Sequence, residues 1–184
     1  LRSPVFLVGP PVRRGVCATM TPRVVVVTDT TADILKTVGS MTGRYVLVGV
    51  ADNDNDRSDD SGIGNAAIAY INDNGSAKLN IPARPFMVVG VQQSLPKATA
   101  ALKSYAKQAL TKRDPSKIEQ GMAAAGMIAR DSVKKRITSQ EGFAPLASST
   151  LAGRAGAGFS GTKALIRTGS LLNSITYVVK KRNG

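Results

Sequence analysis

The sequence has no histidine, no tryptophan and one cysteine. Without His the commonest general base is missing, and with it every Ser-His or Cys-His nucleophile pair and most zinc sites. Catalysis would fall to carboxylates, Lys or Tyr. Cys17 by itself excludes an internal disulfide or a Cys-rich metal centre. Lying near Arg13 and Arg14 in a Gly/Pro-rich segment, it reads as a bystander. Aromatic residues are only 4% of the chain, so a core has to be built from Val, Ile, Leu, Ala and Met. No stretch approaches the roughly 18 uninterrupted apolar residues of a membrane span, and a soluble protein with no membrane partner is expected. Acidic residues are also scarce: 12 Asp and Glu face 25 Lys and Arg, a formal charge of +13. Such an excess calls for an anionic partner or a charge-balanced assembly.

A length of 184 residues suits one domain with a real core. At the start, the apolar run Val5 to Val8 is stopped by Gly9-Pro10-Pro11, short of the roughly 7 to 15 residues of a secretory signal core. Met20 then opens a more protein-like stretch. The expected organisation is an N-terminal extension over 1–19 followed by a single domain over 20–184.

Arg23 to Val27 and Arg44 to Val50 are β-branched runs and read as strands, although Thr31 to Val38 between them could form two helical turns, with Ile34, Leu35 and Val38 on one face. Asp52 to Asp60 reads as a solvated acidic loop. Ala66 to Ile71 is a short apolar segment closed by the turn signal Asn74-Gly75. Pro82 and Pro85 then keep Ile81 to Met87 extended, and helix is expected from about Leu95.

Ala98, Ala101, Leu102, Tyr105 and Ala109 recur at helical spacing, with Lys97, Lys103, Lys107 and Lys112 on other faces. Asp114-Pro115 supplies a cap and a first-turn proline for a second, longer helix, in which Ile118, Met122, Ala125, Ala129, Val133 and Ile137 share a face. The short link favours an antiparallel helix pair over a hinge. Gly142 to Thr162, rich in glycine, reads as a long loop. Thr168 to Ile175 reads as a turn and short helix, and Thr176 to Val179 as a final strand. The fold class is therefore α+β: a small sheet of N- and C-terminal strands packed on two central amphipathic helices, with long loops.

Several motifs tempt and fail. Asp52, Asp54 and Asp56 have the spacing of a calcium loop, but Arg57 stands where that loop needs Gly and Ile63 where it needs Glu. Gly62 to Ala67 fits a relaxed dinucleotide fingerprint but follows an acidic run, the wrong field for phosphate. Pro82-x-x-Pro85 alone is weak as an adaptor ligand. No catalytic, cofactor or metal set emerges. The basic regions, Lys97 to Arg136 and Gly142 to Gly184, offer Lys134, Lys135, Arg136, Arg154 and Lys163 as contacts to DNA or to an acidic partner. A basic nucleic-acid-binding packaging or chromosome-associated protein is accordingly one reading of the chain. An enzyme using paired carboxylates is a poorer one.

Three blocks point elsewhere. Ala66-Ala-Ile-Ala-Tyr-Ile-Asn-Asp-Asn-Gly-Ser76, Asn80-Ile-Pro-Ala-Arg-Pro-Phe-Met87 and Leu165-Ile-Arg-Thr-Gly-Ser-Leu-Leu-Asn-Ser-Ile-Thr-Tyr177 resemble, in this order and with a helix-rich spacer, the virion morphogenesis and tail-completion (neck) proteins of long-tailed double-stranded DNA bacteriophages. The resemblance covers about residues 63 to 180. Arg167 and Asn74 depart from it, the family often having an acidic residue and an aromatic there.

The resemblance implies a non-enzymatic virion subunit, without cofactor, that closes into a ring in the neck and joins the filled head to the tail. Its partners would be copies of itself, with six and twelve both open, neighbouring connector and tail proteins, and DNA in the channel. It would be located in the virion, and in the host cytoplasm during assembly. On this reading Ile81, Pro82, Arg84, Pro85, Phe86, Thr168, Gly169 and Leu171 are candidates for subunit contacts, with Arg84 and Phe86 presented on a stiff Pro-flanked element. The other reading of that element is a turn that packs Phe86 into the subunit's own core. Leu1 to Thr19 and Gly142 to Thr162 would order on neighbouring rings.

Overall fold

A computed structural model of the chain describes residues 30–50 and 63–182. The expected strand Arg23 to Val27, the N-terminal extension and the acidic run lie outside these residues.

Among the described residues the order is α1 (Thr31–Thr42), β1 (Arg44–Val50), α2 (Asn65–Asn74), α3 (Met87–Lys112), α4 (Ser116–Ser139), α5 (Ser148–Gly156), α6 (Ser170–Ser174) and β2 (Ile175–Lys181). This is a small α+β fold. Thr31 to Val38 takes the helical alternative and extends to Thr42.

Helices α3 and α4 form the antiparallel pair, since Gly90 faces Val133 near one end and Tyr105 faces Gly121 near the other. Small side chains make this possible. The buried stripe of α3 is Gly90, Ser94, Ala98 and Ala109, and that of α4 includes Gly121, Ala125, Gly126 and Ala129. A Cβ on Gly90 would stand 2.7 Å from Val133 Cα, so the two backbones approach more closely than any larger residue permits. Ser132 Oγ donates to Gly90 O at 2.7 Å across the same contact. Between the helices Arg113 takes a left-handed conformation (φ 53°), and Asp114 Oδ1 accepts the Ser116 N–H at 3.0 Å, as its place before Pro115 suggests.

Helix α3 starts at Met87 rather than near Leu95, and Pro96 lies within it, which makes α3 and not α4 the longer helix, 26 residues against 24. The early start has a tertiary cause, described with the site below.

Strands β1 and β2 pair antiparallel, with Leu47 opposite Val178 and Val48 opposite Tyr177. A lone two-stranded sheet is marginal in water. Here its inner face rests on α4, and the Tyr177 ring fills the space where Gly126 has no side chain. The outer face leaves Tyr45, Leu47 and Val178 exposed.

Phe86, Val133, Ile137, Leu171, Ile175 and Ala69 form the core where α2, α4, α6 and β2 meet. Burial of one such large side chain contributes about 1.5–3 kcal/mol. The expected loop over Gly142 to Thr162 is corrected: it contains helix α5, whose Arg154 reaches back to hold the chain that follows.

Candidate functional site

The Asn80 to Met87 block is built by α2. Gly75 ends that helix with φ +76°, a conformation that favours glycine, and a Cβ there would lie 2.7 Å from Ala83 N. The chain then doubles back, with Ser76 and Ile81 exchanging backbone bonds of 2.8 and 2.9 Å, and Arg84 N donating to Asn72 O at 2.8 Å. More than two turns before the expected start near Leu95, Asp73 Oδ1 accepts the N–H groups of both Phe86 and Met87 at 2.8 Å. That carboxylate satisfies amide donors that a helix start otherwise leaves without partners, which lets α3 begin at Met87.

Opposite lies a second wall made from residues 140–171. Gln140 holds both backbone groups of Ala164: its Nε2 donates to Ala164 O at 3.0 Å and its Oε1 accepts from Ala164 N at 2.6 Å. Arg154 Nη1 donates to the carbonyls of Gly161, Lys163 and Ile166 at 3.0, 2.8 and 3.3 Å. Ser170 Oγ bonds Asn65 Oδ1 at 3.2 Å, tying α6 to the first residue of α2.

Between these walls opens a cleft of about 640 Å³. Ile81, Pro82 and Arg84 line one side, Thr168, Gly169 and Leu171 the other, and Arg154 and Arg167 complete it with Ile68 and Asn72 of α2. The three blocks singled out in the sequence thus converge on one concavity. Among the described residues its lining includes three arginines and no carboxylate.

Arg84 is almost wholly buried, and its Nε and Nη2 donate to Ala144 O at 3.2 Å and Pro145 O at 3.4 Å, bridging the two walls. Burial, and secondarily the positive charge of Arg154, hold the Arg84 pKa below the ordinary arginine value.

The structure sorts the expected contact residues. Phe86 is fully buried and Leu171 nearly so, and both belong to the subunit's own core. Of the two readings of Phe86, the side chain takes the core one and is not presented. It ends the extended segment at the start of α3, where Val133, Ile137, Leu171 and Ile175, distant in sequence, share one core with it. Arg84 is likewise not an outward-reaching side chain, because carbonyl acceptors draw it under the 144–145 chain. Pro82 and Thr168 remain exposed, and Ile81, Pro85 and Gly169 half-buried.

Of the expected DNA or acidic-partner contacts, three are occupied inside the subunit. Arg136 pairs with Glu141 at 3.4 Å and lies 5.7 Å from the Phe143 ring centre. Arg154 holds the loop as described. Lys163 Nζ donates to Thr138 O at 3.1 Å, at the C-terminal end of α4, where a cation is favoured. Lys135 is exposed and Lys134 half-buried, so α4 presents only a short basic surface from this set. No grouping of three or more Cys, Asp or Glu suited to a metal ion occurs among the described residues, and no described helix is long and apolar enough to cross a membrane.

Sequence reasoning missed Asp73, Gln140 and Asn65. Each acts on a group that local spacing does not connect to it; Asp73 and Phe86, for instance, have a helix end and a turn between them. Compared with protein-family models, curated proteins and solved structures, the chain matches none.

Proposed function

We propose that this chain is a structural subunit of a tailed bacteriophage virion, assembling as a ring in the neck that joins the DNA-filled head to the tail. The observation that carries this reading is the convergence of the Ala66 to Ser76, Asn80 to Met87 and Leu165 to Tyr177 blocks on one cleft. Blocks that are far apart in the chain but build one concavity act as a unit, and here the unit is an open groove between two walls rather than an enclosed pocket around a reactive group.

Two further features agree with it. The outer sheet face leaves Tyr45, Leu47 and Val178 in water, and α1 exposes Ile34, Leu35 and Val38. Apolar surface of this kind favours association with another protein surface. The chain also lacks His, so a structural role fits it better than acid–base or nucleophilic chemistry. A ring of identical subunits uses a different patch on each side of the contact, which closes by rotation.

Labelling is the test. Gold directed to this chain in tailed particles is expected at the junction of head and tail. Label on the capsid surface or along the tail shaft, or absent from particles altogether, would contradict the reading. The nucleic-acid alternative predicts DNA affinity that falls steeply with salt, and the internal engagement of Arg136 and Lys163 weakens it.

A further inference from the structure

The carboxylates of the fold are mostly committed. Asp73 accepts two backbone N–H groups, Asp114 accepts one, Glu119 pairs with Arg44 at 3.0 Å, Asp131 with Arg130 at 2.7 Å and Glu141 with Arg136 at 3.4 Å. The cleft shows the opposite state. Arg84 gives two of its three guanidinium nitrogens to carbonyls, Arg154 gives one of its own, and neither pairs with a described carboxylate within 4.0 Å. Two cations thus line one concavity with carbonyl dipoles as their described partners. Burial makes an unmatched charge expensive, so a carboxylate entering the cleft gains both an ion pair and hydrogen bonds.

This chain has one concentrated supply of such groups. Asp52-Asn-Asp-Asn-Asp-Arg-Ser-Asp-Asp60 holds five of the twelve acidic residues. Its first three aspartates alternate, and in an extended strand alternate side chains lie on one side, about 7 Å apart. Such a ladder can bring successive carboxylates to separate guanidinium groups.

We propose that the cleft is a socket for the Asp52 to Asp60 stretch of a neighbouring copy of this chain. The proposal rests on the ring reading and specifies its contact. Subunits of charge +13 repel one another, and an acidic segment seated in the next subunit's arginine cleft places opposite charges at the seam. The contact is heterologous, as a ring requires: the acidic segment of one copy and the socket of the next. The apolar groups around the arginines, Ile81, Pro82 and Leu171 among them, exclude water from the ion pairs and so strengthen them.

Disulfide trapping tests it on the full chain. In a Cys17→Ser background, one tagged population carries Asp54→Cys and a second, differently tagged, carries Thr168→Cys at the exposed cleft rim. The populations are mixed and oxidised at low salt. A chain carrying both new cysteines is oxidised in parallel at high dilution, and the unmodified chain's mass is measured by light scattering.

The expected result is a disulfide between differently tagged copies, its yield falling with salt and further when Arg154→Gln is added to the Thr168→Cys chain. A disulfide formed only within the doubly substituted chain would show that each subunit's own acidic stretch reaches its cleft, and would overturn the proposal. Absence of any disulfide while the unmodified chain assembles would overturn it and leave the ring reading standing. A monomeric unmodified chain with no disulfide would remove both.

Discussion

The two halves of this molecule are held together in different ways. On the α3–α4 side, Gly90 lets the two helix backbones meet at Val133, Gly121 and Gly126 receive the Tyr105 and Tyr177 side chains, and a stripe of alanines fills the rest. On the cleft side, single polar side chains span gaps between irregular segments: Asp73 to the start of α3, Gln140 to Ala164, Arg154 to three carbonyls, Arg84 to the 144–145 chain. Close packing is insensitive to what lies outside it, whereas a wall held by a few polar bonds can adjust when a partner arrives. The first half is thus the stable frame, and on the proposed ring reading the second half is the one that meets a partner.

The sharpest way to break that division is at Phe86, which sits where the halves meet. Phe86→Ala is expected to cost about 3–5 kcal/mol in the isolated subunit, measured by denaturant unfolding. An unchanged midpoint with impaired assembly would return Phe86 to the partner surface and blur the distinction. Asp73→Ala comes next: loss of the cap on Phe86 and Met87 is expected to cost about 1–2 kcal/mol, with hydrogen exchange rising first in the opening turn of α3.

A smaller effect belongs to Asp114, whose carboxyl is held below its ordinary value of 3.8 mainly by hydrogen bonds from Ser116. A depressed carboxylate stabilises the fold above its unfolded value, and that contribution is lost as pH falls through the lower folded value. The acid end of the stability curve should therefore lose this step in Asp114→Asn. Least of all should Pro82→Glu disturb the fold, because Pro82 is exposed on the cleft rim. Its unfolding midpoint is expected to stay within about 0.5 kcal/mol of the parent, while self-association, followed by sedimentation, declines because the added carboxylate competes for the cleft arginines.

The same division explains what the sequence revealed. The helix pair was legible because its packing is periodic: Ala98 and Ala109 on one helix, Ile118 to Ile137 on the other, with Asp114-Pro115 between them. The cleft was legible only in part. Its residues were singled out, but Arg84 was expected to face outward and Phe86 was left between presentation and the core, because their burial depends on acceptors and core residues distant in sequence. Helix α5 was hidden by glycines at 153 and 156, which disfavour helix on propensity alone. Polar bonds over long sequence separations leave no periodic trace.

Hydrogen exchange on the full chain, free and in assembled particles, measures the division directly. The account predicts that amides in 80–87 and 161–171 gain about tenfold or more protection on assembly while those at the α3–α4 contact change little. Equal protection of both halves, or a gain confined to α3 and α4, would contradict it.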